Sequence, residues 1–160
     1  MLTQTADHAL RALLAIARQG GDRPLRVEEI AAMTGAPRNY LGKTLGALVK
    51  AGLLRSTRGP QGGFALAVAP ADVTVARVSD LFTEPRAATR CLMGDGPCNP
   101  DRPCSAHHRW SALKAAARAP LDRTTLADLL SDVGPRSHEA RYEMPAAGLA
   151  APLAGTAGAF

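Results

Sequence analysis

Leu53-Leu54-Arg55-Ser56-Thr57-Arg58-Gly59-Pro60-Gln61-Gly62-Gly63-Phe64-Ala65-Leu66-Ala67-Val68 is the stretch on which the fold turns. Its ends are apolar and its middle, 58–63, gathers Gly and Pro around one Arg and one Gln. That pattern predicts a β-hairpin, with strands over 53–57 and 64–68. What comes before gives the hairpin its meaning. A helix is expected from Pro37 to about Ala51, with Leu41, Leu45, Leu48 and Val49 on one stripe and Gly52 as its stop. Another is expected over 27–34, with Val27, Ile30, Ala31 and Met33 inward and Gly35 as terminator, although Arg26 is a poor cap. Helix, short Gly-containing turn, helix and then hairpin is the order of a winged helix-turn-helix.

The flanks fit that unit. Residues 4–19 read as an amphipathic helix through Ala6, Leu10, Leu13, Leu14 and Ala17, capped by Thr3 or Thr5 and ended by Gly20-Gly21. A short helix over 74–83 carries Val75, Val78, Leu81 and Phe82. Residues 84–104 are too rich in Pro and Gly for regular structure. From Ser105 a helix resumes, bearing Trp110, Leu113 and Ala117; Pro120 interrupts it, and a last helix starts near Thr125, whose spacing to Asp128 suits a capping box. Fifteen of residues 133–160 are Ala, Gly or Pro, and this stretch reads as a disordered tail. The division is therefore 1–83 DNA-binding unit, 84–104 cysteine loop, 105–132 dimerisation and terminal helices, and 133–160 tail. The fold class is mainly α with a small β wing. An Ala-rich helix with so narrow an apolar stripe is expected to bury it against a second copy of the chain.

Charge is concentrated in the same front half. Residues 1–68 hold nine Lys or Arg against four acids, which is the whole net charge of +5. A basic front and a neutral back point to a polyanion-facing module joined to one with another task. The expected partner is double-stranded DNA. Arg38, Asn39, Tyr40 and Lys43, at the start of helix 37–51, are placed to meet bases or phosphates in the major groove. Arg58 and Gln61 at the wing tip would enter the minor groove, with Gly59 and Gly62 permitting close approach. Two such units in a homodimer suit a near-palindromic operator.

Nothing approaches a membrane span, and the N-terminus lacks the pattern of a signal peptide, so a cytoplasmic protein is expected. No phosphate loop, paired carboxylates or Ser-His-Asp set stands out, so an enzyme is not.

All three cysteines, Cys91, Cys98 and Cys104, lie within fourteen positions. Soft thiolates on a wide Gly/Pro loop suit an iron–sulfur cluster better than a zinc knuckle, whose paired ligands stand closer in sequence. Three thiolates leave one ligand place, and His107 is the nearest candidate. Structural zinc and a metal-free thiol switch are the alternatives.

The sequence also resembles the Rrf-two (BadM-type) family of bacterial winged-helix regulators over about residues 1–132. The resemblance is carried by Asp7-His8-Ala9-Leu10-Arg11-Ala12-Leu13, by Glu29-Ile30-Ala31, by Tyr40-Leu41 with Leu45 and Leu48, by Ala51-Gly52-Leu53-Leu54, and by Thr125-Leu126-Ala127-Asp128-Leu129. Its most specific part is the wing, Arg58 to Leu66. The resemblance implies a homodimeric transcription factor, usually a repressor, with C-terminal helices crossing between subunits. It further implies a two-iron or four-iron cluster held by Cys91, Cys98 and Cys104. The fourth ligand would be His107, as in IscR-like members, or Asp7 of the partner subunit, as in NsrR-like ones, with His8 a further candidate. The six residues between Cys91 and Cys98 are one more than is common in IscR-like proteins.

Overall fold

The computed structural model describes residues 2–20, 23–84, 89–94 and 96–131. Helix α1 (Gln4–Arg18) lies at its centre, packed by the helices Val27–Thr34, Arg38–Lys50, Val75–Leu81 and Leu126–Ser131 and by the strand Gly63–Leu66. Thr3 is its cap, the hydroxyl accepting from the Ala6 amide at 3.1 Å. Alanines and leucines recurring every three to four residues bury Ala6, Ala9, Leu10, Ala12, Leu13 and Ile16.

Helix α2 (Val27–Thr34) ends at Gly35, whose φ of +69° is the left-handed conformation that glycine adopts at little cost. It begins by a device that Arg26 conceals: the Glu29 carboxylate reaches back and accepts from the Arg26 backbone N–H at 2.8 Å. Met33, expected inward, is instead 44% exposed. Thr34 takes the buried place, one turn beyond Ile30, and its hydroxyl donates to the Ile30 carbonyl at 2.7 Å. Helix α3 (Arg38–Lys50) starts after Pro37 and buries Leu41, Thr44, Leu45 and Leu48.

The hairpin forms with strands β1 (Leu54–Thr57) and β2 (Gly63–Leu66), antiparallel, Leu54 opposite Leu66 and Thr57 opposite Gly63. Both differ by a residue or two from the expected bounds. Leu25, ahead of α2, also exchanges two backbone hydrogen bonds with Phe64, at 2.9 and 2.8 Å.

A 3-10 turn (Pro70–Asp72) leads to α4 (Val75–Leu81). Beyond the cysteine loop come α5 (His107–Arg123) and α6 (Leu126–Ser131). Pro120 does not interrupt α5. A proline removes one amide donor, but the Ala116 opposite is exposed and its carbonyl can turn to water. Across the same turn Arg118 Nε is bonded to Asp122 at 2.8 Å, and the Thr124 amide closes on the Pro120 carbonyl at 3.0 Å. The expected box at α6 is present: the Thr125 amide donates to Asp128 at 2.8 Å, and the Asp128 amide to Thr125 at 3.2 Å.

The core joins Leu13, Ile16, Leu25, Ile30, Leu41, Leu45, Leu48, Leu53, Val73 and Val78, and to these α6 adds Leu126, fully buried. The chain reaches that point by pairing residues 124–126 with 73–75 through the Val75–Thr124 and Leu126–Val73 bonds, both 2.9 Å. Helix α5 has no buried residue; it packs on α4, and Leu113 is 59% exposed. Among the described residues no helix is long and apolar enough to cross a membrane. The expected tail, 133–160, lies outside the described residues.

Candidate nucleic-acid interface and cysteine loop

Burying one stripe of α3 turns the other outward, so Arg38, Asn39, Tyr40 and Lys43 are all exposed. Two of them are held by neighbours. The Arg38 guanidinium pairs with Glu28 of α2. The Glu28 carboxyl lies below the usual range, through its backbone hydrogen bond first and the Arg38 charge after that. The Tyr40 hydroxyl bonds Thr5 of α1, and its ring stands edge-on to His8 with centroids 5.6 Å apart. Asn39, Tyr40 and Lys43 line, with Gln4, His8 and Pro37, a surface cavity of about 450 Å³. His8 Nδ1 is buried there, with no hydrogen-bond partner among the described residues.

At the wing, Arg58, Gly59 and Gln61 are exposed and Gly62 is buried. The Gly62 amide donates to the Gly59 carbonyl at 2.9 Å, and a Cβ at Gly62 would stand 2.2 Å from the Thr57 carbonyl oxygen. The turn therefore closes only around a residue without a side chain. The Arg26 guanidinium reaches across from α2 to the Pro60 carbonyl, a contact that sequence reading missed because neither residue type announces it.

The cysteine loop folds back on itself. The Cys91 amide donates to the Gly96 carbonyl at 2.9 Å and the Cys98 amide to the Thr89 carbonyl at 2.8 Å. This brings Cys91 Sγ to 3.7 Å from Cys104 Sγ, with Cys98 near enough to act on Cys91. The Cys91 thiol is held below its ordinary range by hydrogen bonding from the Met93 backbone and then by Cys104. Cys98 is pushed up, by burial first and then by Cys91. Cys91 thus ionises more readily than Cys98, and its charge disfavours ionisation of Cys98. His107 opens α5, its amide bonded to the Cys104 carbonyl at 3.0 Å, with its ring edge-on to His108. Among the described residues no three His, Cys, Asp or Glu side chains are placed to hold one metal ion. The donor set itself, three soft thiols on one loop, is of the kind that takes an iron–sulfur cluster. Asp7 is engaged with Arg11 on its own helix, and His8 with Tyr40.

One side chain ties this loop to α5, and a second ties α5 to α4. Trp110 of α5 donates from Nε1 to the Arg90 carbonyl at 3.0 Å. Arg118 of α5 grips both oxygens of Asp80 at 2.6 and 2.8 Å. The Asp80 carboxyl is lowered, by these hydrogen bonds above all, and the Arg118 guanidinium is raised.

Residues 2–132 match the Rrf2 family, described as an iron-dependent transcriptional regulator. An HTH-type transcriptional regulator of Aquifex aeolicus is 35% identical over 133 residues, covering 82% of this chain and 92% of its own. The regulator IscR of Aliivibrio salmonicida is 31% identical over 131 residues, covering 82% and 77%. The structure of CymR, the global cysteine regulator of B. subtilis, superposes with a TM-score of 0.70 at 25% identity over 84% of this chain and 98% of that one.

Proposed function

Since this chain belongs to the Rrf2 family of transcriptional regulators, we propose that it is a winged-helix repressor whose hold on operator DNA is set by its cysteine loop. It is a regulator and not an enzyme. The partner is double-stranded DNA in the cytoplasm, read by a homodimer on a near-palindromic site. The open apolar face of α5, with Leu113 exposed, supports the second copy. Residues 1–83 bind DNA, 84–104 sense, and 105–132 carry the dimer helix.

Arg38, Asn39, Tyr40 and Lys43 read the major groove, and Arg58, Gly59, Gln61 and Gly62 present the wing to the minor groove. Arg38 exchanges the Glu28 carboxylate for a guanine edge or a phosphate, one charge-assisted partner for another.

Cys91, Cys98 and Cys104 would hold an iron–sulfur cluster, two-iron or four-iron, with His107, Asp7 of the partner subunit or His8 as fourth ligand. Supporting His107 is its position at the loop's end, where its backbone N–H donates to the Cys104 carbonyl. When bound, the cluster supplies chemistry that oxidant, nitric oxide or iron supply can alter. The chain does the rest. The gathered thiols keep the loop folded, Trp110 passes its position to α5, and Arg118 ties α5 to α4. A loop released from its thiols frees the start of α5 and with it the spacing of the two DNA-binding units. A coupling of about 1–3 kcal/mol suffices.

The observation that carries this reading is the approach of Cys91 to Cys104, with Cys98 alongside, at the entry to α5. Anaerobic purification tests it, with a visible spectrum, analysis for iron, sulfide and zinc, and DNA affinity before and after oxidation. Iron with matching sulfide is expected. A metal-free protein whose DNA affinity changes on oxidation would establish the second reading, a thiol switch. That reading is favoured by the 3.7 Å sulfur contact and by the absence of a three-donor set for one ion among the described residues. Zinc alone would sink both.

A further inference from the structure

The wing is anchored from behind. Leu25 pairs with Phe64 through two backbone hydrogen bonds, so the chain entering α2 runs along the hairpin's edge. The next residue, Arg26, gives its guanidinium to the Pro60 carbonyl at the turn and its backbone N–H to Glu29. Glu29 in turn holds the guanidinium of Arg23. Arg23, Arg26, Glu29, Pro60, Gln61 and Gly62 frame a single cavity of about 310 Å³ between α2 and the wing tip.

The turn closes itself by a single backbone hydrogen bond, from the Gly62 amide to the Gly59 carbonyl. Gly59 sits at φ +109° with open space where a Cβ would be, so no packing restrains it. A donor that is charged makes the stronger kind of bond to a carbonyl, and Arg26 supplies one where the turn is loosest. With its guanidinium on Pro60, Arg26 acts on the wing. We infer that Arg26 is a positioning residue for DNA reading: it pins the wing turn to the start of α2 and so fixes the separation of Arg58 and Gln61 from α3. This rests on the DNA-binding reading above.

The test uses the full chain as wild type, Arg26→Ala, Arg26→Lys, Arg58→Ala and the Arg26→Ala/Arg58→Ala double variant. The measurements are amide hydrogen exchange and affinity for duplexes that the wild type enriches from a random-sequence library. In Arg26→Ala the Gly62 amide, whose bond to the Gly59 carbonyl closes the turn, is expected to exchange about fivefold faster, the loss of one such bond, with α3 unchanged. Affinity falls by a similar factor, Arg26→Lys recovers part of it, and in the Arg58→Ala background the same change costs less than about twofold. Unchanged exchange at the turn would overturn the inference. So would equal losses in both backgrounds, which would make Arg26 a direct phosphate contact, and so would a loss of protection spread through α3. A wild type that enriches no duplex would count against the DNA-binding reading alone, with the exchange result still deciding the anchor.

Discussion

The indole Nε1 of Trp110 donates to the carbonyl oxygen of Arg90 at 3.0 Å, so a side chain of α5 holds the residue directly ahead of Cys91. Trp110 is also the chain's single tryptophan. Alkylating the thiols of metal-free protein should therefore shift its emission. Trp110→Phe keeps the ring and loses the donor; its thiols should react with an aromatic disulfide reagent about threefold to tenfold faster, the range expected for one lost hydrogen bond. Equal rates would mean that the bond does not restrain the loop.

Asp80 and Arg118 make a second tie that responds to acid. The Asp80 carboxyl lies below its ordinary value of 3.8 because Arg118 donates to it. A lowered carboxyl stabilises the fold above its unfolded value and loses that contribution as pH falls through the folded one. Both side chains are about half exposed, so the screened worth of the pair is about 0.5–1 kcal/mol. Urea unfolding should show Asp80→Asn weaker than wild type by about that much from pH 7 to about 4, with the two curves converging in stronger acid. A gap that persists at pH 2 would point to something other than the charge.

The glycines of this protein differ in what they tolerate. Gly62→Ala sets a Cβ 2.2 Å from the Thr57 carbonyl, and Gly63→Ala sets one 2.5 Å from that of Leu25. Each should cost about 1–3 kcal/mol, read by urea unfolding. Gly46→Ala, inside α3 with open space around the added carbon, should gain about 0.5–1 kcal/mol.

Arg58→Ala should weaken binding to every duplex by a similar factor and lower the slope of log affinity on log salt by about one. Specificity lost at an unchanged slope would show Arg58 reading bases or groove width.

Cys98→Ala should yield colourless protein with its fold kept, since Cys98 lies in the loop and outside the apolar core. Circular dichroism and the visible spectrum decide. An unfolded product would favour structural zinc.

Where residue type alone dictates a local structure, the sequence was readable to the residue. Helix α2 spans 27–34 as expected, because its apolar spacing and Gly35 act within the segment. The Thr125–Asp128 box formed for the same reason. Met33 escaped because two adjacent residues compete for one inward place, and a threonine that can bond its own helix carbonyl fills it. Pro120 escaped because its cost depends on whether the carbonyl opposite is exposed. At the candidate site, the outward set on α3 followed from the apolar stripe. The Arg26–Pro60 contact, the Glu28 hold on Arg38 and the meeting of Cys91 with Cys104 depend on how distant backbones cross, which no local pattern records.

Leu126 lies fully buried in a core built otherwise from the first 78 residues. Leaving its place empty would cost about 2–5 kcal/mol, a large part of what a domain of this size has in total. During synthesis the ribosome must therefore deliver the whole cysteine loop and α5 before the N-terminal helices gain their last buried leucine. A nascent or truncated chain that ends ahead of Leu126 is short of a stable fold, so few molecules can compete for an operator without carrying the segment that regulates them.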